Sequence, residues 1–582
     1  MPRSRASGCA LWRVWAAANG LRPAEPASTR PQLRAVRVSP MQPASAKLCR
    51  RAPEQPARAP TRTISWHQSS RFSCRRCKQP RGADPVNSAL AELKRRLAEV
   101  HDLRQVTLAM EWDQLVMMPH GGGPVRAEQL ATLYGLAHER FIDPEVGRLL
   151  EELRRLEESL GHESDDASLV RVARRDWEKA SRVSTELTAE IERVASQAQE
   201  VWAEARARSD YATFRPWLDR NLELRRQYID CFEPEDEVYD ILLDDYEPGM
   251  KTAEVRAVFD RIKPELIALA AEVATPDEPA FMRGPFPEAE QERLSRYVVE
   301  RFGATWENFR LDRTVHPFCS SFATTDIRLT TRYAETDLHS LFSSMHECGH
   351  GLYEHGVDPA FERTPLCNGV SSGLHESQSR LWENVVGRSA AFWRWLYPAF
   401  ESAFPDVLAD VTGEDFYRAV NRVEPSFIRV DSDEVTYGLH VIVRFELEQE
   451  LIAGTISTAE LPEAWNARYA EYLGVAVPED RLGVLQDIHW AFNGFGYFPT
   501  YQLGNVISLQ IWEKVVEALP DVDAQLEAGE FGELGSWLRE NLYSLGRKFT
   551  PQETLERVTG SRIDAAPYLR YLRTKYGAGV AA

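Results

Sequence analysis

One stretch, DLHSLFSSMHECGH at residues 337–350, constrains the fold of this chain more than any other. It ends with His346 and His350, which are four residues apart and therefore lie on one face of an α-helix, close enough to bind a single metal ion. Upstream, apolar residues such as Leu341 and Met345 recur at intervals of three and four. The pattern predicts a helix whose apolar side packs on a core and holds both histidines rigidly.

Glu347 follows the first histidine directly and completes the motif HExxH. A divalent ion held by two neutral imidazoles and one further protein ligand keeps an open position, where the pKa of a bound water falls from about 15.7 to roughly 7. A carboxylate beside that ion can accept the water's proton. The same pentapeptide also occurs by chance in helices whose histidines bind no metal, so its context decides.

A third ligand is expected in the segment LHESQS at 374–379, which begins a second helical pattern. We select Glu376, because two histidines and a glutamate form a common catalytic zinc site. The adjacent His375 is the competing ligand, and we interpret it as a partner of a ligand instead. The intervening segment contains prolines and glycines, which allow the second helix to pack back on the first.

The N-terminal part of the chain differs sharply from the rest in charge. Residues 1–83 contain 17 of the chain's 69 Lys and Arg residues but only 2 of its 88 Asp and Glu residues. A basic, Ser-rich and acid-poor segment of this kind is typical of a disordered organelle-targeting leader, and its length and Pro/Ser content favour a plastid over a mitochondrion. The alternative is a basic tail that binds an anionic partner.

Composition also narrows the class of protein. The strongly acidic remainder argues against nucleic-acid binding. The sequence contains no run of eighteen apolar residues, so no membrane span is predicted. Cys74 and Cys77 form an isolated pair that lacks the context of a metal or redox site. The cysteines after the leader form no disulfide framework, which suits a reducing compartment.

From residue 84 to 582 the pattern is mainly helical. Long amphipathic helices are predicted between Asp143 and Gly249, with further helices over Lys251–Val273 and Glu288–Phe302. The convincing strand signal is HPFCSSFATTDIRLTTRY at 316–333, directly before the metal helix. As an edge strand it could bind a peptide by strand addition, main chain to main chain.

Six sequence blocks occur in one order along the chain: HPF at 316–318, DIRLT at 326–330, HECGH at 346–350, HESQS at 375–379, IRVDSDEVTY at 428–437 and GVLQDIHW at 483–490. Together they give the chain a resemblance to the carboxypeptidase Taq family of zinc metallopeptidases. The similarity covers roughly residues 88 to 575. Asp431, Ser432 and Gly438 depart from the residues more usual in the family, but none is a proposed metal ligand.

The resemblance implies a large, two-lobed, mainly helical unit with a deep substrate groove and a small β element next to the metal helix. It also implies a homodimer that removes single amino acids from peptide C-termini with broad specificity. The single catalytic unit would span residues 84–582. Zinc is the expected ion, with cobalt or manganese as alternatives for the same ligands.

Five further residues suit the handling of a free carboxylate and a tetrahedral intermediate. We predict Arg429 as the bidentate partner of the terminal carboxylate, with Arg328 as second choice and Tyr501 as a helper. Tyr437 and His440, three apart on one helical face, are predicted to hydrogen-bond the oxyanion. The structural alternatives are an ion pair of Arg429 with a nearby aspartate, a pair between Asp326 and Arg328, and core positions for the tyrosines and His440.

Two other functional hypotheses remain open from the sequence. One is an endopeptidase or dipeptidase on the same scaffold. The other is a catalytically inactive binding protein, which the intact HExxH and Glu376 argue against.

Overall fold

A computed structural model describes residues 85–233, 236–274 and 278–577. The predicted leader at 1–83, including the pair Cys74 and Cys77, lies outside the described residues. Within those ranges the chain is mainly helical with one small sheet, as predicted. No helix in the described part is long and apolar enough to cross a membrane.

The helices are numbered in chain order. They are α1 Pro85–Val116, α2 Gly123–Phe141, α3 Pro144–Glu152, α4 Arg154–Ser159, α5 Asp165–Arg182, α6 Thr185–Arg208, α7 Tyr211–Ile229, α8 Tyr239–Leu243, α9 Thr252–Val273, α10 Glu288–Phe302, α11 His339–Gly356, α12 Ser372–Arg380, α13 Ala390–Ala403, α14 Pro405–Leu408, α15 Gly413–Val420, α16 Tyr437–Ala453, α17 Leu461–Tyr472, α18 Phe498–Ala518, α19 Val522–Ala528, α20 Gly532–Asn541, α21 Pro551–Thr559 and α22 Ala566–Tyr576. A π-helical segment, Leu381–Val386, continues α12.

Three strands form the sheet: β1 Phe309–Arg313, β2 Cys319–Ala323 and β3 Asp326–Thr331. Their order is β1-β3-β2, with β1 parallel and β2 antiparallel to β3. The single strand predicted at 316–333 is therefore two strands, because the chain turns at Thr324 and Thr325. β1 was not predicted, since five residues, three of them charged, give a weak strand signal.

Helix α11 packs its apolar side against the core as predicted. All five apolar residues of its pattern are buried, namely Leu338, Leu341, Phe342, Met345 and Leu352. They belong to the main apolar cluster, which also includes Ile327 and Leu329 of β3. Burial of each such side chain contributes about 1.5–3 kcal/mol relative to exposure, so the helix is firmly anchored beneath its two histidines.

A second apolar cluster joins the N-terminal helices to the loop after α11. Leu93 and Leu97 of α1 and Leu149 of α3 pack with Phe361 and Leu366 of that loop. Helix α1 extends to Val116, because no proline or glycine interrupts it before Pro119. These contacts place the N-terminal helices beside the segment that connects α11 and α12.

A buried carboxylate holds the start of α12. Glu247 is 1% exposed, and its Oε1 accepts a hydrogen bond from the backbone N–H of Gly373 in the first turn of the helix. A negative charge is favoured there by the helix dipole. Burial nevertheless dominates and raises the pKa of Glu247 to about 7 from its usual 4.5.

This raised pKa predicts a pH dependence of stability. Between the unfolded pKa of 4.5 and the folded pKa of about 7 the folded state binds more protons, so the unfolding free energy falls as pH rises through that interval. Glu247→Gln keeps an acceptor but does not titrate. The drop in Tm between about pH 5 and about pH 8 should therefore be smaller in Glu247→Gln than in the parent chain.

The exposed Glu530→Gln is the control and should show the parental pH dependence. Calorimetry at several pH values checks both variants. Identical pH profiles for Glu247→Gln and the parent would contradict the assignment.

Candidate metal centre and substrate cavity

A cavity of about 1010 Å³ contains the predicted metal ligands in its wall. One part of the wall comes from α11 and α12 and a second part from residues 316–323, which include most of β2. The remainder comes mainly from α1, α2, α5, α6 and α7. The cavity thus lies between the metal helix and the N-terminal helices.

The structure brings the three proposed metal ligands together. Glu376 Oε2 lies 3.7 Å from His346 Nε2 and 3.6 Å from His350 Nε2. All three ligand atoms lie within 4.8 Å of one another. Ligand atoms about 2.0–2.2 Å from a tetrahedral ion are about 3.3–3.6 Å apart, so this set fits one divalent ion.

Two of the ligands are held by charged side chains at the end of α12 and on its π-helical continuation. His346 Nδ1 donates to Glu383 Oε2 at 2.8 Å, and Arg380 Nε donates to Glu376 Oε1 at 2.6 Å. These bonds leave His346 Nε2 and Glu376 Oε2 free to face an ion. Sequence reasoning missed Arg380 and Glu383, although their spacings of four and seven from Glu376 place them on the same helical face.

The buried charges of the centre are balanced against one another. Burial alone would raise the pKa of Glu376, but Arg380 and the two histidines outweigh it and hold that pKa well below its usual range. Burial raises the pKa of Glu347 to about 7, and the neighbouring carboxylates Glu376 and Glu383 add to the shift. Glu347 also lines the cavity. It is therefore a buried carboxylate in the cavity wall beside the ligands.

A close approach of two helices makes this geometry possible. A Cβ atom placed on Gly349 would lie 2.5 Å from the carbonyl oxygen of Gln378 and 2.7 Å from Cα of Ser379. Both atoms belong to the backbone of α12, which carries Glu376. Any side chain at position 349 would therefore push the two ligand-bearing helices apart.

Arg429 is buried behind the wall of the cavity. The residue is 4% exposed and does not line the cavity. Its Nη2 donates to Asp487 Oδ1 at 2.9 Å, and its Nη1 donates to the Tyr437 hydroxyl at 3.0 Å. The guanidinium is paired with an aspartate 58 residues further along the chain, and its predicted bidentate bond to a substrate carboxylate stays a prediction.

Tyr437 and His440 also lie behind the wall of the cavity. Tyr437 is buried, with its ring 4.3 Å from the guanidinium of Arg380. His440 is completely buried, and its Nδ1 lies 2.9 Å from the hydroxyl of Tyr469. Neither residue lines the cavity, and their hydrogen bonds to an oxyanion stay a prediction. The helix that carries them, α16, forms as predicted.

Arg328 forms the structural pair that was the alternative to substrate binding. Its Nε donates to Asp326 Oδ1 at 2.9 Å, and its guanidinium lies 4.6 Å from the ring centroid of Trp112. The residue does not line the cavity. Its role in the structure is to join the sheet to α1.

Tyr501, by contrast, reaches the cavity wall together with Tyr497. It lies in the first turn of α18. The guanidinium of Arg429 lies 4.6 Å from its ring centroid, and His489 Nε2 lies 3.1 Å from its hydroxyl. Arg429 therefore contacts the ring of Tyr501 from behind, and only Tyr501 of the two faces the cavity.

Comparison with known proteins identifies the family to which the chain belongs. A family model described as carboxypeptidase Taq (M32) metallopeptidase matches residues 92–576. The chain is 40% identical over 481 residues to thermostable carboxypeptidase 1 of Thermus thermophilus, covering 80% of this chain and 94% of that one. It is 35% identical to carboxypeptidase 1 of Bacillus subtilis, covering 82% and 96%.

A solved structure shows the same fold. The M32 carboxypeptidase from Deinococcus radiodurans R1 superposes with a TM-score of 0.81 at 40% identity, covering 85% of this chain and all of that one. The mainly helical architecture and the metallocarboxypeptidase function predicted from the sequence are thereby confirmed. The protein is a metallocarboxypeptidase. It belongs to the carboxypeptidase Taq (M32) family.

The close approach at Gly349 predicts the effect of a single methyl group. In Gly349→Ala the new Cβ meets backbone atoms that cannot rotate away, so we expect the unfolding free energy to fall by about 1–3 kcal/mol. The affinity for zinc should fall with it, because Glu376 moves relative to the histidines. Thermal unfolding and zinc titration of the metal-free protein measure both effects.

Gly535→Ala is the matched control, since a Cβ there meets nothing within 4 Å in helix α20. It should leave zinc affinity unchanged and stabilise the helix by about 0.5–1 kcal/mol. Parental zinc affinity in Gly349→Ala would show that the two helices tolerate separation.

Proposed function

We propose that this carboxypeptidase uses one zinc ion, bound by His346, His350 and Glu376, to remove single residues from the C-terminus of peptides with broad specificity. The supporting observation is the convergence of the three ligand atoms in the cavity wall that also contains Glu347. Two imidazoles and a carboxylate are a usual set for catalytic zinc. Cobalt or manganese could occupy the same ligands.

The residues present suit the chemistry of peptide hydrolysis. A divalent ion in the centre would supply Lewis acidity that activates a water molecule and polarises the scissile carbonyl. Glu347 takes the proton of the attacking water on its carboxylate and then gives it to the leaving amine. Its place in the cavity wall, directly after the ligand His346, suits both transfers.

The substrate peptide is proposed to extend along β2. This strand lies at the edge of the sheet, and residues 319–321 and 323 in it line the cavity. An extended peptide can pair with such an edge through its main chain, which explains broad side-chain specificity. Tyr501 is the proposed hydrogen-bond donor to the terminal carboxylate, with Arg429 supporting its ring from behind.

Replacing the proposed base separates metal binding from turnover. In Glu347→Gln the three ligands are untouched, so zinc should still bind with parental affinity. Turnover should fall by about 10²–10⁴-fold, the usual contribution of a positioned general base. Zinc titration and a time course of peptide trimming by mass spectrometry measure the two properties, with Glu530→Gln as an exposed control. Parental turnover in Glu347→Gln would remove this role.

A C-terminal amide tests how the enzyme selects the last peptide bond. A peptide with a free carboxylate should lose single residues from its C-terminus, whereas its amidated form should react at least about 100-fold more slowly. Chelation of the metal should stop both reactions. Equal rates for the two peptides, with internal fragments or dipeptides as products, would instead indicate an endopeptidase or dipeptidase. No turnover of either peptide with zinc bound would indicate an inactive binding protein.

Two properties outside the catalytic centre complete the proposal. A homodimer is proposed from the resemblance to the family, and light scattering of the purified protein measures its mass in solution.

Residues 1–83 are proposed to direct the chain to an organelle, a plastid in preference to a mitochondrion, because they combine 17 basic residues with two acidic ones. Import assays with both isolated organelles would distinguish the destinations.

A further inference from the structure

The two histidine ligands are held in different ways. His346 donates directly to a carboxylate, that of Glu383. The Nδ1 atom of His350 instead lies 2.5 Å from Nδ1 of His375, and His375 Nε2 lies 2.8 Å from Oε1 of Glu354. His350 is therefore connected to its carboxylate through a second imidazole.

The direction of these two hydrogen bonds follows from the chemistry of the groups. Glu354 is a carboxylate that only accepts, so His375 must carry its proton on Nε2 and present an unprotonated Nδ1 to His350. His350 must then carry its own proton on Nδ1 and leave Nε2 unprotonated. That Nε2 atom is the one that lies 3.6 Å from Glu376.

The surroundings hold this arrangement rigidly. Glu354 is 8% exposed, and its Oε1 also accepts the backbone N–H of Gly369 at 3.0 Å. A Cβ on Gly369 would lie 2.5 Å from Cδ2 of His375, so the loop backbone presses on the imidazole ring. The ring of Tyr353 covers it at a centroid distance of 5.3 Å. His375 consequently has little freedom to rotate away from His350.

We infer that His375 and Glu354 are positioning residues, which together keep His350 in the one tautomer that can bind the metal. This inference rests on the metal centre of the proposed function. Without Glu354, His375 can carry its proton on Nδ1 and donate it to His350. The proton of His350 then moves to Nε2, the atom that must bind the ion, and competes with it.

Part of this hydrogen-bonded arrangement can be recognised from residue spacing in the sequence. His346, His350 and Glu354 are spaced by four residues and lie along one face of α11, so the helix supplies two ligands and the carboxylate that ends the hydrogen-bond chain. His375 comes from α12, next to the third ligand. The chain of bonds therefore forms only when the two helices are packed together.

Zinc affinity of the metal-free protein, measured by competition with a chromogenic chelator, tests the inference. His375→Ala should lower the affinity about 10–100-fold, the usual cost of losing such a partner. His375→Asn offers an amide oxygen near the position of Nδ1 and should recover part of the loss. Glu354→Gln keeps an acceptor of similar shape without the charge and should lose less than His375→Ala. In each variant, the visible spectrum of bound Co²⁺ should shift with the affinity.

His355→Ala is the matched control, because His355 lies on the same helix but bonds to the carbonyl oxygen of Thr324, away from the centre. Its zinc affinity and Co²⁺ spectrum should equal those of the parent. Parental affinity in both His375→Ala and Glu354→Gln would overturn the positioning role while leaving the proposed function intact. A general loss caused by misfolding would not be relieved by His375→Asn, and that result would also count against the inference. Failure of the parent chain to bind zinc would overturn both proposals.

Discussion

The candidate metal centre depends on the contact between the backbones of α11 and α12. Helix α11 brings two imidazoles onto one face by its own periodicity, but the carboxylate ligand belongs to another helix. Gly349 permits the approach, since a Cβ there would overlap the backbone of Gln378 and Ser379. Because the two backbones are in direct contact, the helices cannot move closer together, and their separation fixes the distances between the ligand atoms.

Burial of so many charges around the centre is stable only because each is paired. Glu376 and Glu383 share the guanidinium of Arg380, and Glu383 also accepts from His346. Removing any one partner would leave an uncompensated buried charge, which costs more than the pair gains. The same pairing gives each ligand one orientation. Stability and metal geometry are therefore maintained by the same contacts.

A second network of buried charged residues lies behind the cavity and contacts aromatic rings near the cavity wall. Asp487 pairs with both Arg429 and Arg444, and Arg429 in turn contacts Tyr437 and Tyr501. Of these residues Tyr501 lines the cavity. The phenol of Tyr501 thus faces the cavity, and the two guanidinium groups lie behind it.

The sequence by itself determined the elements whose geometry is local. Helical periodicity placed His346 and His350 on one face of α11, and the spacing from Glu376 to Arg380 and Glu383 was equally available. Tertiary structure decided the partners that come from far along the chain. Arg429 pairs with Asp487, 58 residues away, and His440 with Tyr469, 29 residues away, and neither pairing follows from local spacing. Residue type and spacing describe what a side chain can bind, but the packing of distant helices decides which partner it meets.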